Sequence, residues 1–283
     1  KHFQCIYHAW TYDLCGNLTG IAFEKGSNGR GGMPAEFSKK EHGPRKLRTA
    51  TLHGLVFATL SADTPPLDAY LGDEIRGRIA RVLRRPLRVL GRFVQVLPNN
   101  WKLYMDNVKD TYHASLLHLF FTRFRINRLT QKGGVFVSPD GAHHCTYTEI
   151  VEDQGDAYEQ GGMRSAGSQA FALESPEILE QSDELGDGEK RERRAEQRQL
   201  TLEREPGEAG AAIQILSLFP GFVLHQIRNS LAARQVVPKG IDRTELHWTL
   251  FGFADDDEAM TRRRMLQANL VGPAGYISME DGA

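Results

Sequence analysis

Two groups of potential metal ligands stand out in this sequence of 283 residues. Near its start, Cys5 and His8 form a Cys-x-x-His pair, and farther along Asp110, His113 and His118 lie within one short stretch. Thiolates, imidazoles and carboxylates are the side chains that bind transition metals in proteins. Two ligands cannot complete a metal site, so Cys5 and His8 require partners from elsewhere.

The spacing of the second group constrains how it could bind a metal. Asp110 and His113 are three residues apart and would share a helical face. His113 and His118 are five apart, which on a straight α-helix turns them about 140° away from each other. A shared metal therefore requires a break, a π-bulge or a widened turn in the helix. From the residues alone, hydrogen-bonded core histidines remain the open alternative.

A third ligand for this group is available near the end of the chain. Glu280 and Asp281 follow the Gly/Pro-rich stretch "VGPAGY", after which a carboxylate could project inward. Two imidazoles and one carboxylate form the facial triad of Fe(II) oxygenases, which leaves positions open for O₂ and substrate. The alternative is that Asp281 is an ordinary turn carboxylate.

The elements that must position these residues divide the chain into a small β unit and a larger α+β unit. The first sixty or so residues predict a β unit that includes two short strands around a turn at Cys15-Gly16-Asn17. Pro65-Pro66 cannot continue a strand or a helix, so the stretch that contains them is predicted to be the linker after this unit. An amphipathic helix is predicted from Leu67, followed by a strand, a second helix that carries the histidines, and a series of antiparallel strands. A last helix is predicted to begin at Asp255–Asp257 and to end before Pro273.

Composition narrows the class of protein. The formal net charge of -1 gives no electrostatic argument for nucleic acid or a membrane surface, and no apolar run is long enough to span a membrane. The three cysteines lack the spacing of a disulfide framework, so a reducing cytoplasm is the expected compartment. The segment 189–208 has balanced charges and is predicted to be an exposed helical or disordered excursion.

Three stretches resemble a known family. "FQCIYHAWTYDLCGNLTG" resembles the second half of a Rieske motif, and "NNWKLYMDNVKDTYHASLLH" and "QANLVGPAGYISMEDGA" are similar to the mononuclear-iron segments of aromatic ring-hydroxylating oxygenase α subunits. The resemblance implies part of a Rieske-type β domain over residues 1–62. It implies a helix-grip catalytic domain over residues 63–283, with an antiparallel sheet and flanking helices. It also implies that one cluster-ligand pair precedes Lys1 and that the catalytic domain continues past Ala283.

The same resemblance implies the metal ligands. Cys5 and His8 correspond to two of the four ligands of a [2Fe–2S] cluster. His113, His118 and Asp281 correspond to the ligands of the catalytic Fe(II).

Three further residues acquire roles from the resemblance. Asp110 would orient His113 and would link the catalytic iron to the cluster-ligating histidine of a neighbouring subunit. Asn107 would line the iron pocket. Arg234 corresponds to a position that binds a substrate carboxylate, and its alternative is an ordinary arginine at the end of a strand.

The activity that this resemblance implies is O₂-dependent cis-dihydroxylation of an aromatic carboxylate, with terephthalate as the first expected substrate. Electrons would come from NADH through a separate reductase, and the oligomer would be a homotrimer or an α3β3 assembly with a small β subunit. A salicylate- or anthranilate-type ring hydroxylase of the same fold is one alternative. A non-catalytic metal-binding or electron-carrier module is another.

Overall fold

The structure is a computed structural model that describes residues 1–118, 133–149 and 211–282, so the predicted excursion at 189–208 lies outside these ranges. The chain forms two compact units, Lys1–Leu67 and Asp68–Ala283, whereas the sequence predicted a boundary between residues 62 and 63. Within the described ranges, every helix is too short or too polar to cross a membrane.

The first unit consists of short antiparallel strands. A three-stranded sheet has the order β1-β2-β3, and β4 pairs with β5 in a separate hairpin. The strands are β1 (Phe3–Gln4), β2 (Thr11–Tyr12), β3 (Leu18–Gly20), β4 (Arg48–Leu52) and β5 (Leu55–Thr59).

The predicted turn between β2 and β3 is present, and Asp13 stabilises it. One carboxylate oxygen of Asp13 accepts hydrogen bonds from the backbone N–H groups of Cys15 and Asn17, at 2.9 and 2.8 Å. Gly16 adopts a positive φ of 75°, which glycine does without steric cost. These hydrogen bonds hold the pKa of Asp13 below its ordinary value. Cys15 therefore lies in a turn of structural character.

The second unit is a seven-stranded antiparallel sheet with five described helices. The helices are α1 (Leu67–Val82), α2 (Trp101–Lys109), α3 (Ala114–Leu117), α4 (Glu258–Val271) and α5 (Tyr276–Gly282). The strands are β6 (Leu87–Leu97), β7 (Gly133–Val137), β8 (His143–Glu149), β9 (Ala211–Leu218), β10 (Phe222–Ile227), β11 (Ser230–Pro238) and β12 (Thr244–Phe253).

The order of the sheet is β6-β12-β11-β10-β9-β8-β7. Strands β7 to β12 pair neighbour with neighbour, whereas β6 pairs with β12, the last strand of the unit. One face of the sheet packs against α2 and α4, and the apolar core lies there. Its buried members include Tyr104, Met105 and Val108 from α2, Val223 from β10, Ala232 from β11, Trp248 from β12 and Ala268 from α4. This is the mixed α+β architecture predicted from the sequence.

Helix α1 confirms the predicted amphipathic pattern, since Leu71, Ile75, Ile79 and Val82 are its buried residues. Helix α4 begins where the acidic run predicted it. The Asp257 side chain accepts a hydrogen bond of 2.7 Å from the backbone N–H of Met260.

A buried ion pair joins α4 to the loop that connects it to β12. The Arg264 guanidinium donates to both carboxylate oxygens of Asp256, at 2.7 and 3.0 Å, and both side chains are about 1% exposed. Arg264 also donates to the backbone carbonyl of Asn229, in the turn between β10 and β11. Burial raises the pKa of Asp256, but Arg264, the Phe253 N–H and the charge of Arg85 together outweigh burial and hold that pKa below its ordinary value. The pair fixes α4, and therefore also the start of α5, relative to the strands.

Removing the cation should destabilise the unit strongly. Arg264→Met leaves the Asp256 carboxylate buried without its main partner, so the free energy of unfolding should fall by about 3–5 kcal/mol. Urea denaturation followed by circular dichroism measures this change. The matched control is Arg262→Met, because Arg262 is exposed on the same helix and should alter stability by less than about 0.5 kcal/mol. Equal effects of the two substitutions would contradict a structural role for the pair.

Candidate active site

The helix that carries the predicted ligands is interrupted. Helix α2 ends at Lys109, and Asp110 has an extended backbone with φ of −78° and ψ of 122°. The chain then re-enters a short helix, α3, with His113 at its start and His118 just after its end. The predicted single helix is therefore broken at Asp110. The break lies before both histidines, which flank the single-turn helix α3 instead of lying on one long helix.

The two histidines and Asp281 converge. The Asp281 Oδ1 atom lies 3.1 Å from His118 Nε2 and 3.6 Å from His113 Nε2. One ligand atom from each of the three residues can be chosen so that all lie within 4.8 Å of one another. Asp281 comes from α5, far along the chain, so the tertiary fold brings it to the histidines. Asn107, on α2, donates a hydrogen bond of 3.1 Å to the same Asp281 oxygen.

Each imidazole also contacts a carboxylate other than Asp281, through the ring nitrogen that faces away from Asp281. Asp110 Oδ2 lies 3.0 Å from His113 Nδ1, and Glu280 Oε2 lies 2.9 Å from His118 Nδ1. An ionised carboxylate only accepts hydrogen bonds, so each Nδ1 carries a proton and each Nε2 is directed to Asp281. Carboxylates placed in this way are the usual partners of metal-ligating histidines, because they fix the tautomer and the ring orientation.

Electrostatics keep the Asp281 carboxyl ionised. Burial raises its pKa, but the interactions with His113, His118 and Asn107 together outweigh burial, so the pKa lies below its ordinary value. The neighbouring Asp281 carboxylate in turn raises the pKa of His113, against burial, which lowers it. For Asp110, burial raises the pKa, but the Tyr112 N–H and His113 outweigh it and lower the pKa overall.

This donor set fits a divalent transition metal ion. Two imidazole nitrogens and one carboxylate oxygen are the protein ligands of mononuclear ferrous sites that keep positions open for O₂ and substrate. His118 is 3% exposed and Asp281 retains 23% side-chain exposure, so the group is buried at one side and accessible at the other. Within the described parts of the chain, no other cluster of three His, Cys, Asp or Glu side chains has this proximity.

The three residues open onto a cavity of about 310 Å³ that Arg234 also lines. This volume is in the range of small-molecule sites. Several lining residues are apolar: Val108, Ile213, Ile215, Ile227, Val271 and Ile277. Arg234 is 8% exposed, so the alternative of a surface arginine is wrong. The cavity therefore combines a metal-binding constellation, an apolar wall and one buried cation.

Cys5 and His8 lie in the loop between β1 and β2, and both residues are exposed. Cys5 forms no disulfide. The backbone N–H of Cys5 donates to the carbonyl of Trp10 at 2.8 Å, and the N–H of Ala9 donates to the carbonyl of Cys5 at 2.9 Å. The loop thus presents one thiol and one imidazole from a tight, hydrogen-bonded turn.

The sequence pattern missed three residues of the site. Glu280 was noted only as an acidic neighbour of Asp281, and nothing in the sequence pattern distinguished Tyr104. His225 was expected to line a core or pocket from a strand, either making a structural hydrogen bond or contacting substrate, and its contact with Arg234 was not predicted. A signal for His225 existed, because β10 and β11 form a tight hairpin that pairs His225 with Ala232, two residues from Arg234.

Comparison with known proteins identifies the family. Residues 82–281 match the family of ring-hydroxylating α subunits, over their catalytic domain. The chain belongs to this family of oxygenase α subunits.

The relatives within the family are more specific. The chain is 53% identical, over 284 aligned residues, to the terminal oxygenase component subunit alpha 2 of terephthalate 1,2-dioxygenase from Comamonas sp.. It is 43% identical over 281 residues to the anthranilate 1,2-dioxygenase large subunit of Burkholderia cepacia. The alignments cover 99% and 98% of this chain, but the chain spans only 63% and 60% of the relatives' lengths.

A solved structure shares the fold. Naphthalene 1,2-dioxygenase from Rhodococcus sp., bound to indole, superposes with a TM-score of 0.70 at 21% identity. The match covers 99% of this chain and 61% of that one. At this identity the similarity concerns the fold alone.

Proposed function

We propose that this chain is the catalytic part of a terminal oxygenase that cis-dihydroxylates an aromatic carboxylate, with terephthalate as the first candidate. The net reaction adds both atoms of O₂ to one face of the ring and takes two electrons from NADH through a separate reductase. The observation that carries the proposal is the single cavity shared by His113, His118, Asp281 and the buried Arg234. The 53% identity to the terephthalate dioxygenase subunit supports the choice of substrate.

His113, His118 and Asp281 would hold an Fe(II) ion, which supplies the site where O₂ is bound and reduced. Asp110 and Glu280 keep the protons on the Nδ1 atoms of the two imidazoles, so both Nε2 lone pairs remain available. Asn107 holds the Asp281 carboxylate in place through its amide N–H. The apolar wall of the cavity excludes water from the face of a bound ring.

Arg234 would bind the substrate carboxylate. Among the residues that the structure covers, no carboxylate forms an ion pair with it, and its Nε atom is buried without a hydrogen-bond partner. A buried cation without a counter-ion is unfavourable, so an anionic ligand at this end of the cavity would be bound strongly. A planar guanidinium is well matched to a carboxylate.

Cys5 and His8 would supply one thiolate and one imidazole to a [2Fe–2S] cluster, the two donor types that a Rieske centre uses. Asp110 would connect the two metal centres across a subunit boundary, by accepting a hydrogen bond from the partner's cluster-ligating histidine. This route predicts a ring-shaped trimer, either of this subunit alone or with a small β subunit as α3β3.

An oxygen-uptake screen of the full-length protein with reductase and NADH tests the function. Terephthalate, anthranilate, salicylate and benzoate are the substrates to compare, because the two relatives carry the names of the first two. We expect NADH-dependent O₂ uptake with terephthalate and a dihydrodiol product containing both atoms of labelled O₂.

Other outcomes decide between the alternatives. A product that contains one labelled oxygen would indicate a salicylate-type hydroxylase of the same fold. Stoichiometric zinc without iron, and no O₂ uptake with any of the four compounds, would indicate a non-catalytic metal-binding module.

A further inference from the structure

Arg234 lies inside the apolar core of the second unit. On β11 it alternates with Ala232 and Val236, which belong to the core cluster, so its side chain points to the face of the sheet that α2 covers. The guanidinium carbon lies 4.7 Å from the centre of the Trp248 ring. An arginine at such a place requires partners for its donor groups.

Two neutral acceptors supply those partners. One terminal nitrogen of Arg234 donates to the Tyr104 hydroxyl at 2.7 Å, from α2. The other terminal nitrogen lies 2.6 Å from His225 Nδ1, on β10. Together with the Trp248 ring, these contacts restrain the guanidinium from three sides.

Both acceptors are uncharged at neutral pH. Arg234 has no acceptor atom, so His225 Nδ1 must hold a lone pair and the ring proton lies on Nε2. Burial and the neighbouring Arg234 charge lower the pKa of His225 well below its ordinary value, and burial raises the pKa of Tyr104. The positive charge of Arg234 is therefore held in one orientation without being neutralised.

We propose that His225 is a positioning residue for substrate selection: it orients the Arg234 guanidinium while leaving its charge available to a carboxylate in the cavity. This inference rests on the proposed function, in which Arg234 binds the substrate carboxylate. Arg234 has five N–H groups, and the hydrogen bonds with Tyr104 and His225 engage its two terminal nitrogens. The buried Nε atom of Arg234 and the Nε2 atom of His225 have no partner among the described residues, so a ligand would find donors that the protein has not used.

The side chain at position 225 determines whether the Arg234 guanidinium is available to a substrate carboxylate. A carboxylate there would pair with Arg234 permanently and would compete with the substrate. An asparagine amide oxygen could replace the Nδ1 acceptor without adding charge. A leucine would remove the acceptor and free the guanidinium to rotate.

The test measures ligand binding without turnover. The full-length protein is titrated calorimetrically, without O₂ or reductase, with terephthalate and with its uncharged diamide, terephthalamide. Relative to the native protein, His225→Glu should weaken terephthalate binding by about 100-fold and change terephthalamide binding by less than about 3-fold. His225→Asn should retain terephthalate affinity within about 3-fold, and His225→Leu should lose about 10-fold.

Unchanged terephthalate affinity in His225→Glu would overturn the inference. Should that variant fail to fold, as judged by its thermal midpoint, the comparison of His225→Asn with His225→Leu decides instead, and equal affinities would overturn it. Arg234→Gln separates this result from the proposed function. If Arg234→Gln loses terephthalate but His225→Glu does not, only the role of His225 is wrong. If Arg234→Gln binds terephthalate normally, the carboxylate-binding proposal itself is wrong.

Discussion

Asp281→Ala is expected to lower oxygenase turnover to below about one thousandth of the native rate, equivalent to about 4 kcal/mol in the activation barrier. The substitution removes the only carboxylate oxygen that contacts both His113 and His118 among the described residues, and it leaves two imidazoles to hold the metal. The iron content per chain, measured after anaerobic reconstitution and desalting, should fall together with the activity.

Glu280→Gln provides the matched control for Asp281→Ala, since Glu280 precedes Asp281 on α5 but contacts the far side of the His118 ring. Loss of an orienting partner typically lowers metal affinity by about 10–100-fold, so Glu280→Gln should retain activity when iron is in excess. Full iron binding and normal turnover in Asp281→Ala would show that Asp281 is not a metal ligand.

Asp110→Ala, assayed with iron in excess, should leave both metal centres bound and still reduce turnover by at least about 100-fold. Asp110 holds His113 at 3.0 Å and accepts the Tyr112 N–H at 2.7 Å, yet its side chain remains 47% exposed. The exposed part of the carboxylate is available to a donor from another subunit. Stopped-flow absorbance of the reduced cluster, mixed with substrate and O₂, measures its reoxidation, and this step should be slowed to the same extent as turnover.

The control for Asp110→Ala is Asp106→Ala. Asp106 is an exposed carboxylate one helical turn earlier on α2, and its removal should leave cluster reoxidation unchanged. Native reoxidation rates in Asp110→Ala would show that Asp110 does not connect the two centres. Loss of the mononuclear iron in Asp110→Ala would instead show that Asp110 acts only by orienting His113.

Local pattern predicted much of the fold. The apolar spacing of α1, the acidic start of α4 and the turn after Asp13 each depend on nearby residues, and the structure confirms them. The sequence predicted that a shared metal would require a break or a widened turn between His113 and His118, whereas the observed break at Asp110 precedes both residues. No glycine or proline marks the break at Asp110. The helix can end there because the hydrogen bonds of Asp110 with the Tyr112 N–H and His113 replace those of a continuing helix.

The parts of the site that the sequence did not predict depend on tertiary structure. Tyr104 meets Arg234 because α2 crosses the face of the sheet, and no sequence spacing relates these two residues. Glu280 faces His118 only because Gly272 and Pro273 end α4 and let α5 turn toward the cavity. The convergence of Asp281 with the histidines was predicted from the family resemblance, and residue spacing alone left it open.

The pairing of β6 with β12 has a consequence for biosynthesis. β6 is the first strand of its sheet to be translated, and its partner β12 is the last. β6 therefore remains unpaired while the intervening strands pair with their neighbours. Pairing of β6 with β12 is therefore a late step between residues far apart in sequence, and such non-local pairing slows folding. Chains that terminate before Thr244 would expose an unpaired apolar strand on release from the ribosome, and such strands promote aggregation.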